Sequence, residues 1–249
     1  MARSRARGWF VATGSTVARV ALVVSVVLAL ASTSAFAVDV RGSLTVPSDY
    51  PSSMPAETDA QRARSRYWEE WNGFLDPRPA RLDVQREIAV VLTGEGAPST
   101  GEQPPLRIHN GSLWPSTLVG RAGQAMQIVN GDGCAYELFA EGNTEFAAIQ
   151  TAPGNARPVT VSAAGNWPVR DRNYQHVQGH LHVLADLVAR AFVEANGSYT
   201  FRGVAAGHYT LRVLHGAREV HSAEIDVPEG HEFSVPAIPI TAAAAAAAQ

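Results

Sequence analysis

The chain has 249 residues, with 20 basic side chains against 23 acidic ones and one cysteine, Cys134. A single cysteine excludes an intramolecular disulfide, so stability must come from burial. The acidic balance, −3 for the whole chain, excludes the usual charge signature of a nucleic-acid or anionic-lipid partner.

Residues 1–37 carry Arg3, Arg5, Arg7 and Arg19 with no acid, then an apolar run from Val20 to Ala31, then Ala35-Phe36-Ala37. These are the three regions of a secretory signal peptide, and the run is too short to span a bilayer. Cleavage after Ala37 leaves 16 arginines against 23 acids, a net charge of −7. The expected location is periplasmic or secreted, with no membrane span once the signal is removed.

Val38, Val40, Leu44 and Val46 share the period of a half-buried strand. Pro47 to Pro55 breaks it. From Thr58 to Phe74, apolar residues spaced by three and four, with Thr58 and Gln61 placed as a capping box, predict one helix ended by Pro77 and Pro79. Its Trp68 and Trp71 are expected to anchor it by packing. Ile88–Leu92 is a short apolar strand, and Gly94–Pro105 a connector.

Short strands are expected at 106–108, 117–120, 125–129, 136–139, 159–161, 180–184 and 190–193, a spacing typical of β-sandwiches. Asn196-Gly197 predicts a type I′ hairpin turn before the alternating Tyr199, Phe201, Tyr209, Leu211 and Val213. Strands over 219–227 and 232–240 follow, then an Ala-rich tail at 241–249. Asp171 between Arg170 and Arg172 reads as a surface ion-pair cluster, and His215 as a strand-end residue before a turn.

Two stretches resemble known families. Asn110-Gly111-Ser112-Leu113-Trp114-Pro115, Arg121-Ala122-Gly123, Ile128-Val129-Asn130-Gly131-Asp132 and Ala164-Gly165-Asn166-Trp167 resemble the plastocyanin-like cupredoxins, including those labelled methylamine utilisation proteins. Asn196 to Phe201 and Gly203 to Leu211 resemble the carboxypeptidase regulatory-like or transthyretin-like sandwich, whose members are generally non-catalytic. Together they imply a mainly β chain: a cupredoxin-like Greek-key sandwich over 104–186 and a small transthyretin-like sandwich over 187–240. Residues 38–103, with the one helix, are free to complete the second sandwich, which would make the first an insertion.

The cupredoxin resemblance also implies a copper ligand set, and the residues depart from it. The first imidazole belongs about four residues after Asp132, where Tyr136 stands; the thiolate, second imidazole and thioether belong near Asp171, Tyr174 and Val177. Cys134 lies in the other loop. The expectation is a scaffold without its cofactor.

His176, His180 and His182 form an alternative set, because positions 180 and 182 share one face of a strand and three imidazoles suit copper or zinc. A solvated or hydrogen-bonded structural cluster is the competing reading. No Gly-x-Ser-x-Gly elbow, His-Glu-x-x-His or phosphate-binding glycine loop is present. The sequence thus points to an exported non-enzymatic module binding an envelope protein or glycan through its loops, with metal binding or electron transfer through the three histidines as the alternative.

Overall fold

The computed structural model describes residues 37–53, 82–99 and 105–241. The expected signal sequence up to Phe36, the helix expected over 58–74 and the Ala-rich tail from residue 242 lie outside the described residues. The mainly β expectation holds. Sixteen strands and one short helix appear among the described residues, and none of their helices is long and apolar enough to cross a membrane.

Two sandwiches share the chain. The first joins β1 (Ala37–Thr45) to β12 (Ser198–Ala205), β15 (Glu232–Ser234) and β16 (Ile238–Pro239) in one sheet. Its second sheet runs β11 (Leu187–Ala191), β2 (Ile88–Thr93), β13 (Gly207–His215), β14 (Arg218–Val227). Alternating residues from both sheets, among them Val40, Val90, Leu92, Phe201, Leu211 and Val213, fill its core. This is the solution the period of two demands: each strand turns one apolar face inward.

The second sandwich takes up the chain between β2 and β11. One sheet is β4 (Ser112–Trp114), β3 (Leu106–His109), β6 (Ala125–Asn130), β8 (Ala156–Thr160). The other is β5 (Thr117–Arg121), β10 (Gln178–Leu184), β9 (Gly165–Asp171), β7 (Leu138–Ala140). Ile108, Leu118, Ile128, Val169 and Leu181 lie in its core. β1 and β2 thus pair with the last strands of the chain, and eight strands intervene in sequence.

The sandwiches meet through a small apolar patch of Ala89, Val91, Val119, Leu187 and Leu214. Ile88, Val90 and Leu92 point into the first core, so Ala89 and Val91 necessarily point out of it, against β5. β2 is buried on both faces, which explains its uninterrupted apolar run. The short helix α1 (Val84–Glu87), capped by the Asp83 side chain accepting from the Arg86 N–H, leads into it.

The hairpin turns divide differently from expectation. Asn110 and Gly111 both have positive φ, 50° and 67°, so the two-residue primed turn lies between β3 and β4. At 194–197 only Gly197 is positive, with φ 83°. The Gly197 N–H bonds to the Glu194 carbonyl and the Glu194 N–H to the Ser198 carbonyl, each at 2.8 Å. That is a type I turn closed by a glycine bulge, so Asn196 is spared the left-handed conformation.

Candidate functional site

Among the described residues three places gather polar side chains, and one face of the β5-β10-β9-β7 sheet links two of them.

The first is the strand end where the cupredoxin resemblance puts copper. Asp132, nearly buried, accepts from the N–H groups of Asn110 and Gly111, each at 2.8 Å, and from the Tyr136 hydroxyl at 2.7 Å. Both of its oxygens are engaged. Tyr136 packs at 5.2 Å from Tyr174, and burial, then the neighbouring Cys134 and Asp132, raise its pKa far above that of a free phenol. Tyr174 is raised for similar reasons, burial first and Cys134 next. His109 lies 3.9 Å from Asp132 and is largely exposed. One thiol, one exposed imidazole, two protonated phenols and a saturated carboxylate do not make the set of thiolate and two imidazoles that copper needs, so the residues do not fit a copper centre.

The second place contains two of the three histidines. His180 and His182 stand side by side on β10, ring centroids 5.5 Å apart, whereas His176 lies in the preceding turn against Tyr174 at 6.0 Å. His182 is buried, and its Nε2 is 2.7 Å from the Gly216 carbonyl in the β13–β14 turn. A carbonyl only accepts, so Nε2 carries the proton. Burial lowers the pKa of His182, and burial with the charge of His182 lowers that of His180 to about 4. Among the described residues, no group of three or more His, Cys, Asp or Glu side chains is arranged to hold a metal ion.

Around His182 the turn is tied down further. Asn166 Nδ2 donates to the Ala217 carbonyl at 2.7 Å, and the Gly216 N–H donates to Thr117 Oγ1 at 2.9 Å. Thr117 in turn donates to the Glu87 carbonyl at 2.5 Å. Glu87 itself is fully buried and was not singled out from the sequence. Its carboxylate accepts from Ser52 Oγ at 2.8 Å, the Ser53 N–H at 2.5 Å, Ser53 Oγ at 2.8 Å and the Asp83 N–H at 3.1 Å, with His215 Nε2 at 3.4 Å. Burial alone would raise its pKa; the bonds from His215, Asp83, Ser53 and Ser52 outweigh that and hold it at about 2. Serine and histidine here each meet the same carboxylate.

The third place is a groove of about 630 Å³ beside β7. Phe139, Arg170 and Gln178 are cross-strand neighbours, Phe139 opposite Arg170 and Arg170 opposite Gln178. They therefore form one row on the outer face of the sheet. The 141–148 loop makes the facing wall, held by Arg157, which donates to the carbonyls of Leu138, Ile149 and Ala147 at 3.1, 3.0 and 2.6 Å. Asp171 corrects the surface ion-pair reading. It is buried, and it accepts from the N–H groups of Glu137, Asn173 and Tyr174 at 2.6, 2.8 and 2.8 Å, bracing the loop that carries Gln175. Its neighbours Arg170 and Arg172 face outward, paired with Glu141 and Glu137.

No protein-family model and no curated protein matches the chain. Solved structures of cupredoxins do. The Cu-containing nitrite reductase of Thermus scotoductus is 12% identical over 44% of this chain and 25% of its own, with a TM-score of 0.30. Amicyanin from Paracoccus versutus is 17% identical over 40% of this chain and 100% of its own, with a TM-score of 0.29. A mutant fern plastocyanin is 12% identical over 32% and 100%, with a TM-score of 0.29. At these scores the likeness carries no functional argument. The chain is a mainly β protein of two sandwiches, and that description rests on the strand pairing itself.

Proposed function

We propose that this chain is an exported, non-catalytic binding module of the periplasm or cell envelope, in which the sandwich over 104–186 is a cupredoxin-like scaffold without copper. One observation carries the reading: the Tyr136 hydroxyl is bonded to Asp132 at the position where the resemblance calls for an imidazole ligand. The leader over 1–37 supports export. The resemblance of 187–240 to carboxypeptidase regulatory-like sandwiches supports a non-catalytic role.

Copper or zinc binding by His176, His180 and His182 is the competing reading. His176 stands in the preceding turn against Tyr174 while His180 and His182 stand together on β10, and that separation weighs against a three-imidazole site among the described residues.

Two measurements test the proposal. Expression of the full chain in a Gram-negative host should yield periplasmic protein beginning at Val38; cytoplasmic protein beginning at Met1 overturns export. Calorimetric titration of that mature protein with Cu(II) and Zn(II) should give the same weak affinity for wild type and for the H176A/H180A/H182A variant. A tight site lost in the variant, or an intense visible copper–thiolate band, overturns the scaffold reading.

A further inference from the structure

The groove beside β7 is the open half of a sheet face whose other half is covered by the β13–β14 turn. We infer that it binds a neutral, polyhydroxylated chain, an oligosaccharide, with Phe139 as the stacking surface and Arg170, Asn143 and Gln178 as the polar contacts. The inference rests on the binding-module reading above.

Its first support is that each polar side chain has one end already bound by the protein. Asn143 Oδ1 accepts from the Glu145 and Phe146 N–H groups at 2.9 and 3.2 Å, so its Nδ2 is the remaining donor. Gln178 Nε2 donates to the Gln175 carbonyl at 2.8 Å, leaving Oε1 as an acceptor. Arg170 Nε is held by Glu141 at 3.1 Å, which leaves its terminal nitrogens as donors. Side chains pinned in this way lose little rotamer freedom on binding. Planar donors and acceptors of fixed orientation beside a half-buried aromatic ring suit vicinal hydroxyls on an apolar sugar face.

The remaining ligand classes are disfavoured by features of the same groove. Arg170 pairs with Glu141, Arg172 with Glu137, and the Asp171 carboxylate is spent on backbone N–H groups. The local charge is balanced, which does not attract a phosphate or a polyanion. Addition of a peptide strand to β7 is blocked, because the Ala140 N–H is bonded to the Phe146 carbonyl and the Leu138 carbonyl to Arg157. The volume lies within the range of about 300–1,000 Å³ usual for small-ligand sites.

The test is calorimetry on the full mature chain with three probes: the hexamers of β-1,4-linked glucose and of β-1,4-linked N-acetylglucosamine, and hexagalacturonate as the acidic control. A neutral hexamer should bind with a sub-millimolar dissociation constant that is insensitive to salt. Phe139→Ala and Arg170→Ala should weaken it by about tenfold or more. Asn143→Asp keeps the acceptor that caps the turn and removes the donor, so it should also weaken binding while the thermal midpoint stays within a few degrees.

Binding of neither neutral hexamer, or salt-sensitive binding of hexagalacturonate alone, overturns the inference. Neutral binding untouched by all three variants also overturns it, yet leaves the module reading standing with its site elsewhere. Mass spectrometry of the same samples separates the two further: a shortened oligosaccharide sinks the non-catalytic reading and spares the groove.

Discussion

The outer face of the β5-β10-β9-β7 sheet is used in two ways. Toward β5, Thr117, Val119, Asn166 and His182 receive the β13–β14 turn and the apolar patch of β2, and Thr117 Oγ1, Asn166 Nδ2 and His182 Nε2 each bond to backbone of the first sandwich or its turns. Toward β7, Phe139, Arg170 and Gln178 carry on the same cross-strand rows, and none of the described residues lining the groove there belongs to the first sandwich. The same pleated surface thus serves as an internal joint at one end and a solvent-facing groove at the other. What separates them is the partner: the polar groups at the joint bond across to the first sandwich, and those at the groove bond only to their own sandwich and keep one end available.

That contrast can be broken by mutation. The largest loss is expected behind the joint. Glu87→Ala deprives five donors of the fully buried carboxylate that fixes residues 52–53 and His215. It should cost about 3–5 kcal/mol in urea unfolding, and a change below about 1 kcal/mol would mean the site is relaxed or hydrated.

Within the joint, His182→Ala removes the bond to Gly216 and leaves that carbonyl unpaired, for about 1–3 kcal/mol. Hydrogen exchange should quicken at 215–218 and stay unchanged at 141–148. At the groove, by contrast, Arg170→Ala should alter stability by less than about 0.5 kcal/mol, as an exposed ion pair allows.

Acid sharpens the same contrast. His180 and His182 are held neutral by burial, with folded pKa values below the ordinary 6.5 and that of His180 at about 4. The unfolded chain therefore binds more protons below pH 6.5, and stability should fall as the pH drops from about 6.5 toward 4. Glu87, depressed to about 2 from 4.5, adds a loss between those two values. The H180A/H182A variant should flatten the upper part of the profile; an unchanged slope in circular-dichroism unfolding would show that those imidazoles are protonated in the fold.

Alternation made much of the architecture legible from the residues. Val38 and Val40, Ile128, Leu181, Tyr209 and Leu211 fall where a period of two puts them, inside a core. β4 and β9 were missed because Pro115, Gly165 and Pro168 interrupt apolar runs of only a few residues. Asp171 misled through composition: flanked by arginines it looks solvated, yet its place one step of two from the inward Val169 signals that it points inward.

The copper-ligand departure could be read from Tyr136 by counting from Asp132. The rest of the site could not. Glu87 meets Ser52 across 35 residues and His215 across 128. The groove joins 139–148 to 170–178 only after β7 and β9 have paired. Such meetings are set by topology, which local patterns do not encode.

The division of that sheet face is tested most directly by amide hydrogen exchange on the mature chain with and without a saturating neutral hexasaccharide. Protection confined to 139–148 and 168–178, with 215–218 unchanged, is the predicted result. Protection instead at 109–111 and 132–136 would place binding at the strand end around Asp132 and contradict it.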